Sequence, residues 1–100
     1  MAETPVQRRD RHLRAAYGLS LAQVEALLVF QDGCCAICGE EPGEKPLHVD
    51  HDHSCCSGRR SCGACVRGLV CDPCNRGLAA FRDDPERLLA AVTYLKEHVS

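Results

Sequence analysis

Apolar residues in the first third of the chain recur at nearly helical spacing. Ser20 and Gln23 form an N-terminal capping box ahead of them, and Gly33 follows the last of them. This pattern predicts a helix over about 20–31. An earlier helix over about 6–17 would face inward through three residues, Val6, Leu13 and Tyr17.

The dipeptides Asp72-Pro73 and Asp84-Pro85 each suit the start of a helix, because the carboxylate can cap it and proline is favoured at the first helical position. The first predicts a helix over about 73–81, and the second a helix over about 85–98. The last helix is amphipathic, with apolar residues at Leu88, Leu89, Val92 and Leu95.

Two short alternating segments between these helices, 47–51 and 65–70, predict the strands of a hairpin. Their connection, 52–64, has no hydrophobic period and is too long for an unsupported loop, so it needs an anchor of its own. Helices and strands together predict an α+β fold.

The composition is that of one globular domain: 100 residues, of which 45% are hydrophobic and 26% charged. Aromatic residues make up 4%, which is little for a small core, whereas nine residues are cysteine. We expect a single domain, 1–100, with a basic N-terminal segment 1–18, a core 19–81 and a C-terminal helix 82–100.

The N-terminal residues carry arginines instead of the apolar run of a secretory signal, and the longest mainly apolar stretch, 19–30, is too short to cross a bilayer. We therefore expect an intracellular, cytoplasmic protein with no membrane partner. In a reducing compartment nine cysteines favour metal binding over disulfides, and an odd number cannot pair completely within one chain.

The formal net charge of −2 argues against a general nucleic-acid binder. The basic residues are concentrated, however, since 7–14 and 55–76 each contain four arginines and one aspartate, a sum of +3. Such segments form either a positive face for nucleic acid or ordinary solvated clusters.

Three Cys-x-x-Cys pairs have the spacing with which two thiolates reach one tetrahedral Zn²⁺. The first is followed by Gly39, as in a zinc knuckle, and the last lies at a predicted helix start, where the dipole favours thiolate. A knuckle and a helix-start pair form a treble-clef site. We expect structural zinc on Cys35, Cys38, Cys71 and Cys74.

The long connection between the strands contains most of the remaining cysteines, which offer the anchor that it needs. We expect a second zinc ion held by Cys56, Cys62, Cys65 and either Cys55 or His53. The alternatives are a reactive redox pair of Cys62 with Cys65, and free thiols. Cys34 has no obvious partner.

The sharpest signal lies between the two halves of the first zinc site. The segment VDHDH at 49–53 is followed by VRGLVCDPCNRGL at 66–78, in which Asn75 comes directly after the last zinc cysteine. Together with the segment 17–39 before them, these motifs resemble the phage recombination endonuclease VII family of HNH nucleases.

The resemblance implies a ββα-metal fold of HNH type, stabilised by treble-clef zinc and flanked by N- and C-terminal helices. In that family a strand histidine activates water, and an asparagine and an aspartate hold a divalent cation. Asp50 matches the metal ligand, His51 the general base and Asn75 the second metal ligand. Arg67 matches a family arginine that could meet the scissile phosphate; the alternative is a solvated or paired charge.

The chemistry of these residue types agrees with the resemblance. Histidine can take a proton from water near neutral pH, and Mg²⁺ prefers oxygen ligands such as a carboxylate and an amide. Adjacent strand residues point to opposite faces, so Asp50 and His51 share one site only if the strand is twisted or bulged there. The alternative for His51 is a zinc-supporting or surface histidine. His48 is expected to be structural, whereas His53 could orient substrate, add to the catalytic metal or serve the second zinc.

These observations predict a metal-dependent DNA endonuclease of phage or bacterial origin, which uses structural Zn²⁺ and catalytic Mg²⁺ or a similar ion. Its expected contacts to the DNA backbone are Arg59, Arg60, Arg67 and Arg76. The insert 55–65 is longer than the loop of the phage family. The last predicted helix ends close to Ser100, so we expect the chain to lack the longer C-terminal extension through which the junction-resolving members of the family dimerise. We therefore expect a nicking or general double-strand nuclease instead of a Holliday-junction resolvase, and the oligomeric state stays open.

Two other classes compete with the nuclease. A non-catalytic zinc module could bind nucleic acid or a protein, and a thiol redox protein could use the cysteine-rich insert. The presence of Asp50, His51 and Asn75 favours the nuclease, because a module that only binds does not need that set.

Overall fold

The structure, a computed structural model, describes residues 2–98 and has the predicted α+β architecture. Within that range the chain forms four helices and a two-stranded sheet: α1 (Pro5–Tyr17), α2 (Leu21–Phe30), β1 (His48–His51), β2 (Val66–Val70), α3 (Asp72–Ala80) and α4 (Pro85–Glu97). Each begins and ends within about one residue of its predicted bounds. The outermost positions of the predicted segments 1–18 and 82–100, residue 1 and residues 99–100, lie outside the described residues.

Side-chain caps set the ends of the first two helices. Thr4 and Gln7 form a capping box at α1, and Ser20 and Gln23 form the one predicted at α2. Gly18 ends α1 in the left-handed conformation, at a φ of 69°, which glycine adopts without the steric cost of a Cβ atom.

Asp10 joins α1 to the start of α2. Its carboxylate accepts a hydrogen bond from the Leu21 N–H at 2.8 Å, which satisfies a backbone donor in the first turn of α2. This bond, together with one from Arg14, lowers the pKa of Asp10 below its ordinary value.

A small core joins α1, α2 and β2, and consists of Leu13, Leu19, Val24 and Leu69. Val6, which the helical pattern predicts to face inward, is instead 64% exposed. It shares a helix face with Leu13 but lies two turns earlier, about 10 Å along the axis and beyond the core. The inward-facing prediction is therefore confirmed for Leu13 and wrong for Val6.

The hairpin is antiparallel and contains a bulge at the end of β1. Asp50 lies opposite Gly68 and His51 opposite Val66, so Arg67 is the extra residue on β2. This is the irregularity that adjacent strand residues need if both are to reach one site.

The side chain of Gln31 ties the end of α2 to β2. Its Nε2 donates to the carbonyls of Cys34 at 2.8 Å and Leu69 at 2.9 Å, and its Oε1 accepts from the Leu69 N–H at 2.9 Å. The amide thereby continues the hydrogen bonding of the sheet.

The start of α3 differs from the prediction. Cys71 is the N-cap residue, in an extended conformation, and Asp72 is the first helical residue, so the predicted Asp72 cap is wrong. The extended backbone presents the Cys71 thiol to the neighbouring cysteines, while the Asp72 carboxylate pairs with Arg76 at 3.1 Å.

The apolar side of α4 is exposed, since Leu89, Val92 and Leu95 are 59%, 45% and 61% accessible. The described part of the molecule measures 62 × 27 × 20 Å. None of the described helices is by itself long and apolar enough to cross a membrane; α1 and α2 reach that length and composition as a pair, across a bend of 82°.

Candidate active site and metal centres

The first cysteine cluster joins the knuckle to the start of α3 and consists of Cys35, Cys38, Cys71 and Cys74. The four sulfur atoms lie within 4.8 Å of one another, and those of Cys38 and Cys71 are 3.8 Å apart. A Zn–S bond of about 2.3 Å gives a tetrahedron with edges of about 3.8 Å, whereas bonded disulfide sulfurs are about 2.05 Å apart. The cluster therefore fits one tetrahedral zinc ion.

Cys35 is the buried member of the first cluster, at 3% exposure. Burial raises the pKa of its thiol, but backbone N–H groups of Cys71, Cys38 and Ile37 outweigh this effect and lower the pKa to about 6. Hydrogen bonding with the Cys71 thiol raises the pKa of Cys74 to about 12. The cluster thus offers a preformed thiolate, and zinc binding must displace protons from other members.

The second cysteine cluster lies in the connection between the strands and consists of Cys55, Cys56, Cys62 and Cys65. The sulfur of Cys62 lies 3.9 Å from those of both Cys55 and Cys65, again close to the edge of a zinc–sulfur tetrahedron. Of the two alternatives for the fourth ligand, the geometry selects Cys55. His53 instead lies against His51, with 4.3 Å between ring centroids.

The second cluster also combines a thiolate-forming cysteine with one that holds its proton. The backbone N–H of Ala64, with the neighbouring thiols, lowers the pKa of Cys62 to about 7. The thiols of Cys65 and Cys62 raise the pKa of Cys55 to about 12. Four crowded sulfur ligands of this kind suit a soft or borderline cation such as Zn²⁺.

Asp50, His51 and Asn75 line one open cavity of about 330 Å³. The bulge at the end of β1 allows the first two to reach it, and Asn75 comes from the start of α3, which contacts β1. The cavity is also lined by His48, His53, Arg59 and Tyr17. The structure therefore brings together the three predicted residues, Asp50, His51 and Asn75. Tyr17 was predicted only to face inward from α1, and nothing in the sequence indicated that it would line this cavity.

The Asp50 carboxylate forms a bidentate ion pair with Arg67, the extra residue of the bulge. Nε donates at 2.7 Å and Nη2 at 2.9 Å, and Nη2 also lies 3.2 Å from the carboxylate of Asp83. The bonds to Asp50 raise the pKa of the guanidinium, and the Asp50 side chain is 8% exposed. No feature of the sequence indicates that Arg67 would pair with the predicted metal ligand.

His51 is buried, at 3% exposure, and its ring is hydrogen-bonded to a residue of the second cluster. Its Nε2 lies 2.9 Å from the backbone carbonyl oxygen of Cys56. Because a carbonyl oxygen only accepts hydrogen bonds, Nε2 carries the proton in this contact and Nδ1 is the free acceptor.

The remaining predicted residues have different settings. His48 Nε2 is buried and lies 3.3 Å from Asp72, without the alignment of a hydrogen bond. Arg59 lines the cavity, Arg60 is exposed, and Arg76 is an exposed residue of α3 paired with Asp72.

Comparison with known proteins finds relatives that match the part of the chain containing these sites. The family model of recombination endonuclease VII matches residues 10–97, which include both clusters and the cavity. The Gene 59 protein of Mycobacterium phage D29 is 36% identical over 90 residues, covering 88% of this chain and 50% of that protein. The Gene 59 protein of Mycobacterium phage L5 is 35% identical over 88 residues, covering 86% of this chain and 49% of that protein.

The chain thus spans about half the length of the curated relatives that it matches. No solved structure matches it. Because the family model covers nearly the whole described range, the chain belongs to the recombination endonuclease VII family.

Proposed function

We propose that the chain is a metal-dependent DNA endonuclease of HNH type that acts inside the bacterial cell and hydrolyses phosphodiester bonds with a histidine-activated water and one divalent cation. The observation that carries the proposal is the convergence of Asp50, His51 and Asn75 on one cavity. Membership of a family described as recombination endonucleases supports the same activity.

Asp50 and Asn75 are the proposed ligands of the catalytic cation. They offer a carboxylate and an amide oxygen, which Mg²⁺ and similar hard cations prefer. Arg67 uses both Asp50 oxygens, but a carboxylate has about four acceptor positions, so further lone pairs are available to a cation. When bound, the cation would neutralise the charge that builds on the phosphate and the leaving oxygen.

His51 is the proposed general base. Its Nε2 donates to the Cys56 carbonyl, which leaves Nδ1 to accept a proton from water. Its wall position in the same cavity as Asp50 and Asn75 supports this role.

Four arginines are the proposed contacts to the DNA backbone: Arg59, Arg60, Arg67 and Arg76. Arg59 is the best placed, because it is exposed and lines the cavity. Binding carried by phosphate contacts weakens steeply with salt, with a log–log slope of about −0.9 per phosphate contact. Removing one such arginine should therefore reduce the slope by about one.

Cleavage of supercoiled plasmid tests the proposal. We expect the zinc-loaded protein to nick or cut DNA with Mg²⁺, Mn²⁺ or Ni²⁺, and His51→Ala to lower kcat by about 10²–10⁴-fold. His98→Ala, an exposed histidine after α4, is the matched control and should retain wild-type activity. Wild-type protein that holds two equivalents of zinc yet leaves the plasmid intact with all three ions would contradict the proposal.

A zinc module that binds DNA without cutting it is the second candidate. The Asp50–Arg67 pair favours it, because this pair neutralises the carboxylate that the cation would need. Salt-dependent DNA binding by wild-type protein, without cleavage under any of the three ions, would assign this function instead.

A further inference from the structure

The loop that carries the second cysteine cluster is hydrogen-bonded to two residues that line the cavity, His51 and Tyr17. On one side the carbonyl of Cys56, a cluster residue, accepts the hydrogen bond from Nε2 of His51. Since His51 is 3% exposed, bulk water has little access to replace that bond. The orientation of the ring therefore depends on where the loop holds this carbonyl.

On the other side the same loop is docked on the end of α1. The Ser61 N–H donates to the Ala16 carbonyl at 3.0 Å, and its hydroxyl donates to the Tyr17 carbonyl at 2.7 Å. A Cβ atom built on Gly18 would lie 2.5 Å from the carbonyl carbon of Cys62, so the two backbones are in close contact. Tyr17, held in this way, lines the cavity.

The loop has little else to fix its shape. Residues 52–65 contain neither helix nor strand, and the first turn is closed by the Cys55 and Cys56 N–H groups, which donate to the Asp52 carbonyl. The Asp52 N–H donates to the Cys65 carbonyl at 3.0 Å and closes the base of the loop. Between these ends, the convergence of the four sulfurs closes the loop on itself. Cross-linking by a zinc ion would make that closure rigid.

We infer that the second cluster, when it holds zinc, is a positioning element for catalysis, which fixes His51 in the tautomer with the proton on Nε2 and holds Tyr17 at the cavity wall. This role rests on the proposed endonuclease function. The inference predicts that loss of the second zinc ion strongly lowers catalytic activity, while the first cluster and the fold remain intact.

Cys62→Ser tests the inference, because it removes a ligand of the second cluster and leaves the first complete. Cys34→Ser is the matched control, since Cys34 lies outside both clusters. We expect zinc content to fall from two equivalents to one in Cys62→Ser, and kcat to fall by about 10²-fold, as for a misplaced catalytic group. The Kd for DNA should rise by a smaller factor than this, because Arg59 and Arg60 lie in the loop of the second cluster but Arg67 and Arg76 do not. Cys34→Ser should match wild type in all three measurements.

Nitrogen NMR of the imidazole rings reports the tautomer of His51, which would not change if the role of the second cluster were merely structural. In wild type with two zinc ions, His51 should be held as the Nε2–H tautomer, and in Cys62→Ser it should populate both tautomers. Cys62→His, which restores a zinc ligand, should recover the single tautomer and the second zinc. A Cys62→Ser variant with one zinc, a fixed His51 tautomer and wild-type kcat would overturn the inference.

Two outcomes separate this inference from the proposed function. If wild type does not cleave DNA, the endonuclease proposal fails, whereas the tautomer of His51 still decides the positioning role. If Cys62→Ser does not fold, wild type alone remains decisive. A zinc-loaded wild-type protein whose His51 carries its proton on Nδ1, or exchanges between the two nitrogens, overturns the inference.

Discussion

The close contact of Gly18 with the loop of the second cluster predicts that an alanine at this position is costly for two separate reasons. Gly18 has a φ of +69°, a conformation that alanine adopts at a cost of roughly 1–2 kcal/mol. Its Cβ would also lie 2.5 Å from the carbonyl carbon of Cys62 and 2.7 Å from the nitrogen of Gly63. Both contacts are with backbone, so they cannot be relieved by a side-chain rotation.

Gly33→Ala separates the two costs. Gly33 has nearly the same φ, +73°, but a Cβ there would meet nothing within 4 Å. Alanine also stiffens the unfolded chain equally at both positions, so that contribution cancels in the comparison. The difference between the variants then measures the steric clash, which we expect to be about 1–3 kcal/mol, as for overpacking elsewhere.

Thermal unfolding of the zinc-loaded proteins, followed by calorimetry, measures this difference. Since 1 kcal/mol shifts the Tm of a domain of this size by about 4–8 °C, Gly18→Ala should unfold at least that far below Gly33→Ala. Gly63→Ala, whose Cβ would lie 2.5 Å from the Gly18 carbonyl oxygen, should behave in the same way. The double variant should lose less than the sum, because both substitutions break one contact. Equal Tm values for Gly18→Ala and Gly33→Ala would refute the docking of the loop on α1.

Three further predictions concern polar contacts. Gln31→Leu removes three hydrogen bonds and leaves the Leu69 N–H of β2 without a partner, and should lower the free energy of unfolding in urea by about 2–4 kcal/mol. An unchanged midpoint would contradict the tie to the sheet. Asp10 has a lowered pKa through its bond from Leu21, so its contribution to stability is complete above the ordinary value of 3.8 and is lost only as pH falls through the lower folded-state pKa. In calorimetry the stability difference between wild type and Asp10→Asn should therefore be constant from about pH 6 to 8 and should shrink as pH falls below 3.8. A difference that does not shrink in acid would count against the Leu21 bond. Arg67→Ala leaves the buried Asp50 carboxylate unpaired and should lower the free energy of unfolding by about 3 kcal/mol. Mn²⁺ should raise the Tm of this variant more than the Tm of wild type. An equal rise would show that the Asp50–Arg67 ion pair does not compete with a cation.

The elements of this fold were predictable because their signals are local. A capping box such as Ser20 with Gln23 lies within one helical turn, and proline marks the starts of α3 and α4. The cysteine clusters were also predictable, since the spacing of each Cys-x-x-Cys pair places two ligands on one turn. The fourth ligand of the second cluster stayed open, because Cys55 and His53 both lie within three residues of Cys56 and the path of the loop decides between them.

The contacts that shape the cavity were not predictable, because they join residues distant in sequence or use the backbone. Gln31 bonds to β2 across 38 residues, and Arg67 reaches Asp50 across 17. The partner of His51 is a carbonyl oxygen, which every residue possesses, so no residue type marks Cys56 for this role. The sequence shows which side chains are present, but register and loop path determine which of them meet.

Each of the two cysteine clusters is linked to a different residue of the cavity. Asn75 directly follows Cys74 of the first cluster, and its N–H donates to the carbonyl of Cys71, so the first cluster holds the start of α3. His51 is bonded to a residue of the second cluster, at the far end of β1. With zinc bound in both clusters, the distance between these two cavity residues would therefore depend on two cross-linked units joined by the strands of the hairpin. A core of four buried residues would hold such a distance poorly by packing alone, and bound zinc would explain how a chain with 4% aromatic residues supports a defined site.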